Sequence, residues 1–396
     1  MNKTHSIGNI LVMQSGGCTA VIKRSLAGVI RSCTRLLPNQ KILGSHHGIS
    51  GLISNDITDL SNVSDRYLSE LDYVPGADLG SSRQKLSLDN SDSVIANLKA
   101  HDIHVVIPIG GNDSADTGLT LCEISDQLSY PLQVVNVPKT IDNDLLEMDH
   151  CPGYGSAARF ISQATFGAGK DAASMGIASP ITIIEVMGRD AGWLAASSAL
   201  HKKNDFDAPH FIGIPEIPIK EDYFLSEIRY AYNTHGYAVA VIAENVRGLG
   251  NTAKNQKPYF TDSFGHEYYD GPARYLATLV SQEMNLRCRY EKPGTIQRSL
   301  IDSISDVDAQ EAHIAGEKAV EAAIRGDTNV IITLNRASAE RYECVTGTTP
   351  LSRVANLTRK LPKEFLPLDG GHAKPDFINY LAPLTGKKLP FTTTIQ

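Results

Sequence analysis

The sequence predicts an α/β protein built from βα units around largely parallel sheets. Three observations predict it. Short β-branched runs alternate with amphipathic stretches along most of the chain. Several runs end in glycine-bearing polar segments that lead into a helical pattern, as at Gly16-Gly17 and Gly110-Gly111. The 396 residues, 42% hydrophobic and 20% charged, suffice for two or three domains of roughly 150 residues each.

Taken in order, Ile10–Met13 is the first expected strand, followed by a helix over Ala20–Leu36 and a strand at Lys41–Gly44. Ser91–Ala100 reads as a helix, His104–Ile109 as a strand, Asp113–Leu128 as a helix and Leu132–Val137 as a strand. A long helix over Gly155–Ala173 precedes strands at Ile181–Val186 and Phe211–Ile214. Then come a helix at Glu221–Asn233, a strand at Ala238–Ala243, helices at Arg274–Glu283 and Asp308–Arg325, and a strand at Val330–Leu334. The strands are short β-branched runs; the helices carry apolar periodicity, with acidic residues or small polar caps near several starts. Arg247–Tyr269, with Gly248-Leu249-Gly250-Asn251 and Lys254-Asn255-Gln256-Lys257-Pro258, reads as an exposed loop. The tail after Arg341 is richer in Pro and Gly and is expected to wrap back over an earlier domain. No linker of low complexity and no internal repeat interrupts the pattern.

Charge excludes one class of partner. Thirty-seven Lys and Arg against 44 Asp and Glu give a net charge of −7, which argues against nucleic-acid binding through a broad basic face. An anionic ligand must therefore meet local cations. Ile10–Met13 is too short for a signal-peptide core and no run approaches the length of a membrane span, so no membrane partner and a cytoplasmic address are expected. The six cysteines form no CxxC pair and read as buried free thiols. His46-His47, His101 with His104, and His150 beside Cys151 read as structural, because no carboxylate partner or second ligand pair recurs at suitable spacing.

Open α/β sheets bind ligands beyond the carboxyl ends of their strands, and three such ends are unusual here. Ile10–Met13 runs into Gln14-Ser15-Gly16-Gly17, His104–Ile109 into Gly110-Gly111-Asn112-Asp113-Ser114, and Leu132–Val137 into Pro138-Lys139-Thr140-Ile141-Asp142-Asn143-Asp144. The two Gly-Gly junctions would offer backbone N–H groups and a positive helix end to an anion. Asp142 and Asp144 lie two apart, so in an extended stretch both would face one side. One could then serve as a base and the other hold a divalent cation.

These segments, with Leu79-Gly80-Ser81-Ser82-Arg83, Pro152-Gly153-Tyr154-Gly155-Ser156-Ala157-Ala158, Glu185-Val186-Met187-Gly188-Arg189-Asp190-Ala191-Gly192-Trp193, Pro215-Glu216 and Gln297-Arg298-Ser299, resemble the phosphofructokinase family, and within it the pyrophosphate-dependent branch. The resemblance implies two Rossmann-like three-layer α/β/α domains. Residues 1–152 and 295–340 would form the phosphate-donor domain, and 153–294 with 341–396 the sugar-phosphate acceptor domain. It implies a Mg2+-dependent, reversible phosphorylation of fructose 6-phosphate to the 1,6-bisphosphate. Asp142 matches the family's base, Thr140 a hydrogen bond to the transferring group, and Arg83 and Arg189 its neutralising cations. Gly16, Gly17, Gly111, Asn112, Asp113, Ser114 and Lys139 match the donor site; Asp144, Asp113 and Asn112 match the metal site. On the substrate side stand Asp144, Met187, Gly188, Glu216 and Arg298, with Arg289 reaching into a neighbouring subunit of a homodimer or homotetramer.

The donor follows from two positions. Where ATP-using relatives have glycine, this chain has Asp113, whose bulk and charge oppose an α-phosphate, and Lys139, which can contact a terminal phosphate of pyrophosphate. Five positions depart from the family pattern. Asn112 stands where relatives often carry a metal-associated aspartate, so Asp113 is expected to share that role. Lys23 and Arg24 read as a solvated helix face. Pro180 and Thr295 replace an arginine contributed by the adjacent subunit and a histidine or tyrosine of the 6-phosphate clamp, leaving Arg289 and Arg298, with Lys170, Lys202 or Lys203 as compensating cations. Two alternatives follow: the same chemistry on another acceptor such as sedoheptulose 7-phosphate or a polyol, or a non-catalytic metabolite-binding paralogue.

Overall fold

The structure, a computed structural model, describes residues 8–71, 74–249, 260–261, 267–268, 271–338 and 341–387. Every expected strand and helix recurs to within two residues at either end. Strands β1 (Asn9–Gln14), β2 (Ile42–Ser45), β3 (Ile57–Asp59), β4 (Ile103–Gly110) and β5 (Gln133–Pro138) join β12 (Val330–Arg336) and β13 (Cys344–Pro350) in one sheet of order β13-β12-β5-β4-β1-β2-β3. Its centre is parallel; β3 and β13 are antiparallel edges. Apolar side chains fill both faces, as a parallel sheet requires. Ile10, Val12, Val105 and Ile107 pack toward helices α1 (Ile22–Leu36) and α10 (Asp306–Arg325). Leu11, Met13 and Val106 pack on the other side with Leu52 of α2 (Ile49–Ser54), Leu98 of α4 (Ser91–Ala100) and Leu121 of α5 (Asn112–Gln127). Helix α3 (Asp65–Leu71) covers the first of these faces.

Helices α1 and α10 touch backbone to backbone. A Cβ at Gly28 would lie 2.1 Å from the His313 carbonyl oxygen and one at Gly316 2.1 Å from that of Ser25. Local sequence also fixes α10: Ser305 accepts the Asp308 N–H as N-cap, acids fill the first turn, and Gly326 ends it in a left-handed turn.

The second sheet, order β11-β6-β8-β7, is wholly parallel, with β6 (Ile181–Val186), β7 (Phe211–Gly213), β8 (Ala238–Ala243) and β11 (Cys288–Glu291). One face meets Ile161 of α6 (Tyr154–Met175), Leu194 of α7 (Trp193–Ser197) and Phe377 of α11 (Pro375–Leu384). The other meets Phe224 of α8 (Glu221–His235) and Leu276 of α9 (Pro272–Met284). Strands β9 (Phe260–Thr261) and β10 (Glu267–Tyr268) form a small separate ribbon. Residues 250–259, 262–266 and 269 of the expected loop lie outside the described residues. The halves are joined through Asp308 of α10, which accepts hydrogen bonds from the Gly153 and Ser156 N–H groups at 2.8 and 2.9 Å and so caps α6.

Two expectations shift. Cys344–Pro350 pairs along β12, and Leu351 and Val354 pack into the first core, so the chain stays with the first half beyond residue 340. From Leu361 it joins the second core, where α11 packs by Phe377, Leu381 and Leu384. Lys23 is also no solvated side chain: it is 8% exposed and pairs with Asp78 at 2.9 Å.

Candidate active site

The carboxyl ends of β1, β4 and β5 open into a cleft of about 300 Å³. After β1 the chain turns at Gly16, φ +76, a left-handed conformation that glycine adopts without strain. After β4, Gly110 has no room for a side chain, since a Cβ would meet the Ser114 hydroxyl at 1.8 Å. Gly111 then caps α5, whose first turn carries Asp113. The open N–H groups of that turn give the cleft a positive helix end. The hydroxyls of Ser15 and Ser114 hydrogen-bond across the two turns.

Lys139 follows β5 and is 4% exposed; its Nζ donates to the Gly17 carbonyl at 2.8 Å, and burial lowers its pKa to about 8. Asp142 and Asp144 do face one cleft, but through a turn and not an extended stretch. Asn143 between them is left-handed, φ 55, its side chain donating to the Tyr380 hydroxyl at 2.8 Å and accepting from the Cys151 N–H at 3.0 Å. Burial first, then Asp144 and Glu244, pushes Asp142 up to about 8, with Arg189 and Arg298 opposing. Burial also raises Asp144, against a hydrogen bond from Thr140. Asn112 donates its amide to Asp144 at 3.3 Å. Its Oδ1, like the Oδ1 of Asp142, is buried without a hydrogen-bond partner among the described residues.

Gly16, Gly17, Arg83, Gly111, Asn112, Asp113, Ser114, Lys139, Thr140, Asp142, Asp144 and Arg189 all line this cleft. The remaining expected residues stand around it. Met187 is held by its N–H to Gln297 at 3.0 Å, and Gly188 turns the chain at φ +116. Glu216 accepts from the Gly192 and Leu361 N–H groups at 3.0 and 2.8 Å, leaving Oε2 buried and unpartnered. Arg298 brings its guanidinium to Gly17, where a Cβ would meet it at 2.1 Å. Arg289 points elsewhere in its own chain, pairing with Asp171 at 3.1 Å. Lys170 and Lys202 do not line the cleft; Lys170 lies 3.7 Å from Asp207 and Lys202 binds the Asp205 and Asp207 carbonyls. Pro180 is buried at the opposite end of β6, its carbonyl accepting the Ala238 N–H at 2.9 Å.

Sequence reasoning missed Asp190, Glu244, Asn356 and Thr358 in the lining. Glu244 directly follows β8, so the rule that found the other strand ends would have found it. Asn356 and Thr358 gave no signal. Nor did Arg359, which donates to the carbonyls of Asn143 at 3.0 Å, Asp149 at 2.6 Å and Met148. Its guanidinium covers Trp193 at 4.4 Å, so it ties the Asp142 loop to the loop after Arg189.

Two α/β halves whose cleft brings Arg83, Lys139 and Arg189 together with helix-end N–H groups and paired carboxylates define a protein built to hold and work on phosphate groups. The chain belongs to the phosphofructokinase family, whose model, described as Phosphofructokinase, matches residues 9–323. It is 36% identical over 383 residues to a Halomonas elongata protein named pyrophosphate–fructose 6-phosphate 1-phosphotransferase, covering 95% of this chain and 91% of that one. A sulfofructose kinase from Alkalicoccus urumqiensis is 29% identical over 347 residues, 88% of each chain. The crystal structure of a pyrophosphate-dependent phosphofructokinase from Nitrosospira multiformis superposes with a TM-score of 0.87 at 33% identity, covering 98% of this chain and 95% of that one.

Proposed function

We propose that this chain is a pyrophosphate-dependent phosphotransferase that reversibly phosphorylates fructose 6-phosphate to the 1,6-bisphosphate with Mg2+. The observation that carries the reading is Lys139 and Asp113 sharing one cleft with Asp142. The ammonium suits a terminal phosphate, while the carboxylate opposes the α-phosphate of a nucleotide. Asp142, with an unpartnered buried oxygen, accepts the acceptor's hydroxyl proton, a role worth on the order of 10²–10⁴ in rate. Thr140 orients the transferring group, Arg83 and Arg189 offset its charge, and the N–H groups at Gly17, Gly111 and the start of α5 hold the donor, with Gly16 shaping the turn and Ser114 lining it.

Asn112 Oδ1 and the Asp144 and Asp113 carboxylates suit a hard cation, because the amide oxygen is buried in the cleft without a partner. Bound there, Mg2+ would neutralise phosphate charge. Met187, Gly188, Glu216 and Arg298 frame the acceptor, and Arg289 serves the site of a neighbouring copy in a homo-oligomer. Among the described residues no helix is long and apolar enough to cross a membrane.

A second reading keeps the chemistry and changes the acceptor. It is favoured by Pro180 and Thr295, which supply no cation or ring where the 6-phosphate clamp would have an arginine from the adjacent subunit and a histidine or tyrosine. A panel of sugar phosphates and polyols at fixed pyrophosphate, with phosphate release measured, separates the readings. Highest kcat/KM with fructose 6-phosphate, and pyrophosphate formation from the bisphosphate and inorganic phosphate, are the expected results. Turnover with none of the acceptors refutes the phosphotransferase reading and leaves the metabolite-binding one.

A further inference from the structure

A second polar cluster lies outside the cleft. His150 of the loop after β5, Glu311 of α10 and Cys344 of β13 come from segments far apart in sequence, and one ligand atom from each lies within 4.8 Å of the others. His150 and Glu311 are buried, 3% and 5% exposed, while Cys344 is half-buried and leaves an approach from outside. The local sequence offers this histidine no carboxylate pair at ligand spacing; the fold supplies two carboxylates. Its Nε2 lies 2.7 Å from Glu311 Oε2 and its Nδ1 2.8 Å from Asp149 Oδ2. The Tyr342 hydroxyl donates to Glu311 and stands 3.2 Å from His150 Nε2. Arg336 reaches Asp149 at 3.5 Å and lies over the Tyr342 ring.

We propose that His150 Nε2, a Glu311 oxygen and Cys344 Sγ form a site for one thiophilic divalent cation of the zinc type. The donor set is one imidazole, one thiolate and one carboxylate, which favours Zn2+ or Co2+ over the all-oxygen preference of Mg2+. Asp149 occupies the distal ring nitrogen, the position from which a carboxylate fixes the tautomer and orientation of a ligating histidine. Zinc–ligand bonds of about 2.0–2.3 Å place tetrahedral ligands roughly 3.3–3.8 Å apart, so the His150–Glu311 pair need open by only about half an ångström or a little more.

Charge balance supports the exchange. The imidazole lies between two carboxylates, Nδ1 toward Asp149 and Nε2 toward Glu311. When a dication enters, one proton leaves His150 Nε2 and one leaves Cys344 Sγ. The added +2 is thereby offset, and the buried cluster keeps its net charge next to Arg336. The bound ion would pin α10 and the β12–β13 pair to the chain segment that leads from Asp144 into α6.

The test uses the full chain, stripped with chelator and titrated with Co2+ in excess Mg2+, so that hard-cation sites stay filled. One equivalent of Co2+ is expected to give a sulfur-to-cobalt charge-transfer band, release about two protons, and be displaced by Zn2+. Cys344→Ser should lose the band, Cys18→Ser should keep it, and Asp149→Asn should weaken affinity by about 10–100-fold. Circular dichroism checks that each variant is folded, and Glu311→Gln, which keeps size and hydrogen bonding, gives a second route should Cys344→Ser fail to fold. Absence of a stoichiometric band in the wild-type chain, or a band that survives both Cys344→Ser and Glu311→Gln, overturns the proposal. Neither result depends on which sugar the enzyme phosphorylates.

Discussion

The two ends of the cleft are built in different ways. On the proposed donor side, Gly16, Gly17, Gly111, Asn112, Asp113, Ser114 and Lys139 sit in the short turns or the first helical turn directly after β1, β4 and β5, and all line the cleft. On the proposed acceptor side, Met187, Glu216 and Arg298 stand at its margins beside distant partners: Gln297 for Met187, Gly192 and Leu361 for Glu216, and the Gly17 turn for Arg298. On the proposed assignment, phosphate recognition is local in the chain, whereas the acceptor's surroundings depend on how the halves meet. A donor-side substitution should alter chemistry or donor choice directly, and an acceptor-side one should act through KM.

The largest expected effect comes from Asp142→Asn. Turnover should fall by about 10²–10⁴ while pyrophosphate still shifts the melting temperature, because the cleft's cations remain. Loss of the thermal shift together with activity would mean that Asp142 shapes the donor site instead. Stability should move the other way. Asp142 is raised to about 8, above its unfolded value near 3.9, so its contribution is present below that lower value and lost as pH rises through about 8. The ligand-free wild type should thus lose melting temperature between about pH 4 and 8 more steeply than Asp142→Asn, as differential scanning fluorimetry can measure.

Next in size is the donor pair. Asp113→Gly with Lys139→Gly should raise the KM for pyrophosphate by roughly 10–100-fold, the loss of one charge-assisted contact of about 1.5–3 kcal/mol. It should also admit ATP; an unchanged ratio of pyrophosphate to ATP use would contradict the donor argument. Acidity adds a smaller, graded effect. The base must be unprotonated and Lys139 charged, and both titrate at about 8 in the free chain. The forward kcat/KM should therefore follow a narrow bell in pH. Lys139→Arg, which stays charged, should flatten its alkaline limb.

Legibility follows the same division. β1, β4 and β5 are mostly apolar runs, the first two ending at Gly-Gly junctions and β5 at Pro138-Lys139 and its charged successors, so their ends and most of the site could be read from neighbouring residues. β3, β11 and β13 were not read because they are edge strands, half-exposed and rich in polar residues, as in Cys344-Val345-Thr346-Gly347-Thr348-Thr349-Pro350. Arg359 escaped for a different reason. Its task is to hold carbonyls of the 143–149 segment some two hundred positions earlier, and no local pattern marks such a contact. Lys23 was misread because a cation on a helix resembles a surface residue until its partner, Asp78, is placed beside it.

The smallest expected effect decides whether the acceptor side is completed by a second chain. Arg289 pairs with Asp171 across a partly exposed surface, and such pairs hold little stability, so the side chain is available to another partner. Arg289→Ala should leave the melting temperature nearly unchanged and raise the acceptor KM by about tenfold, with the KM for pyrophosphate unaffected. Hybrids of Arg289→Ala and Asp142→Asn subunits distinguish the two ways this can arise. If Arg289 serves the neighbouring site, the subunit with an intact Asp142 regains an arginine from its partner, and the wild-type acceptor KM returns in proportion to the hybrid fraction. If Arg289 acts within its own chain, every active site in the mixture still lacks it and the raised KM persists. Persistence would confine the difference between the two ends of the cleft to a single polypeptide; recovery would extend it across a subunit boundary.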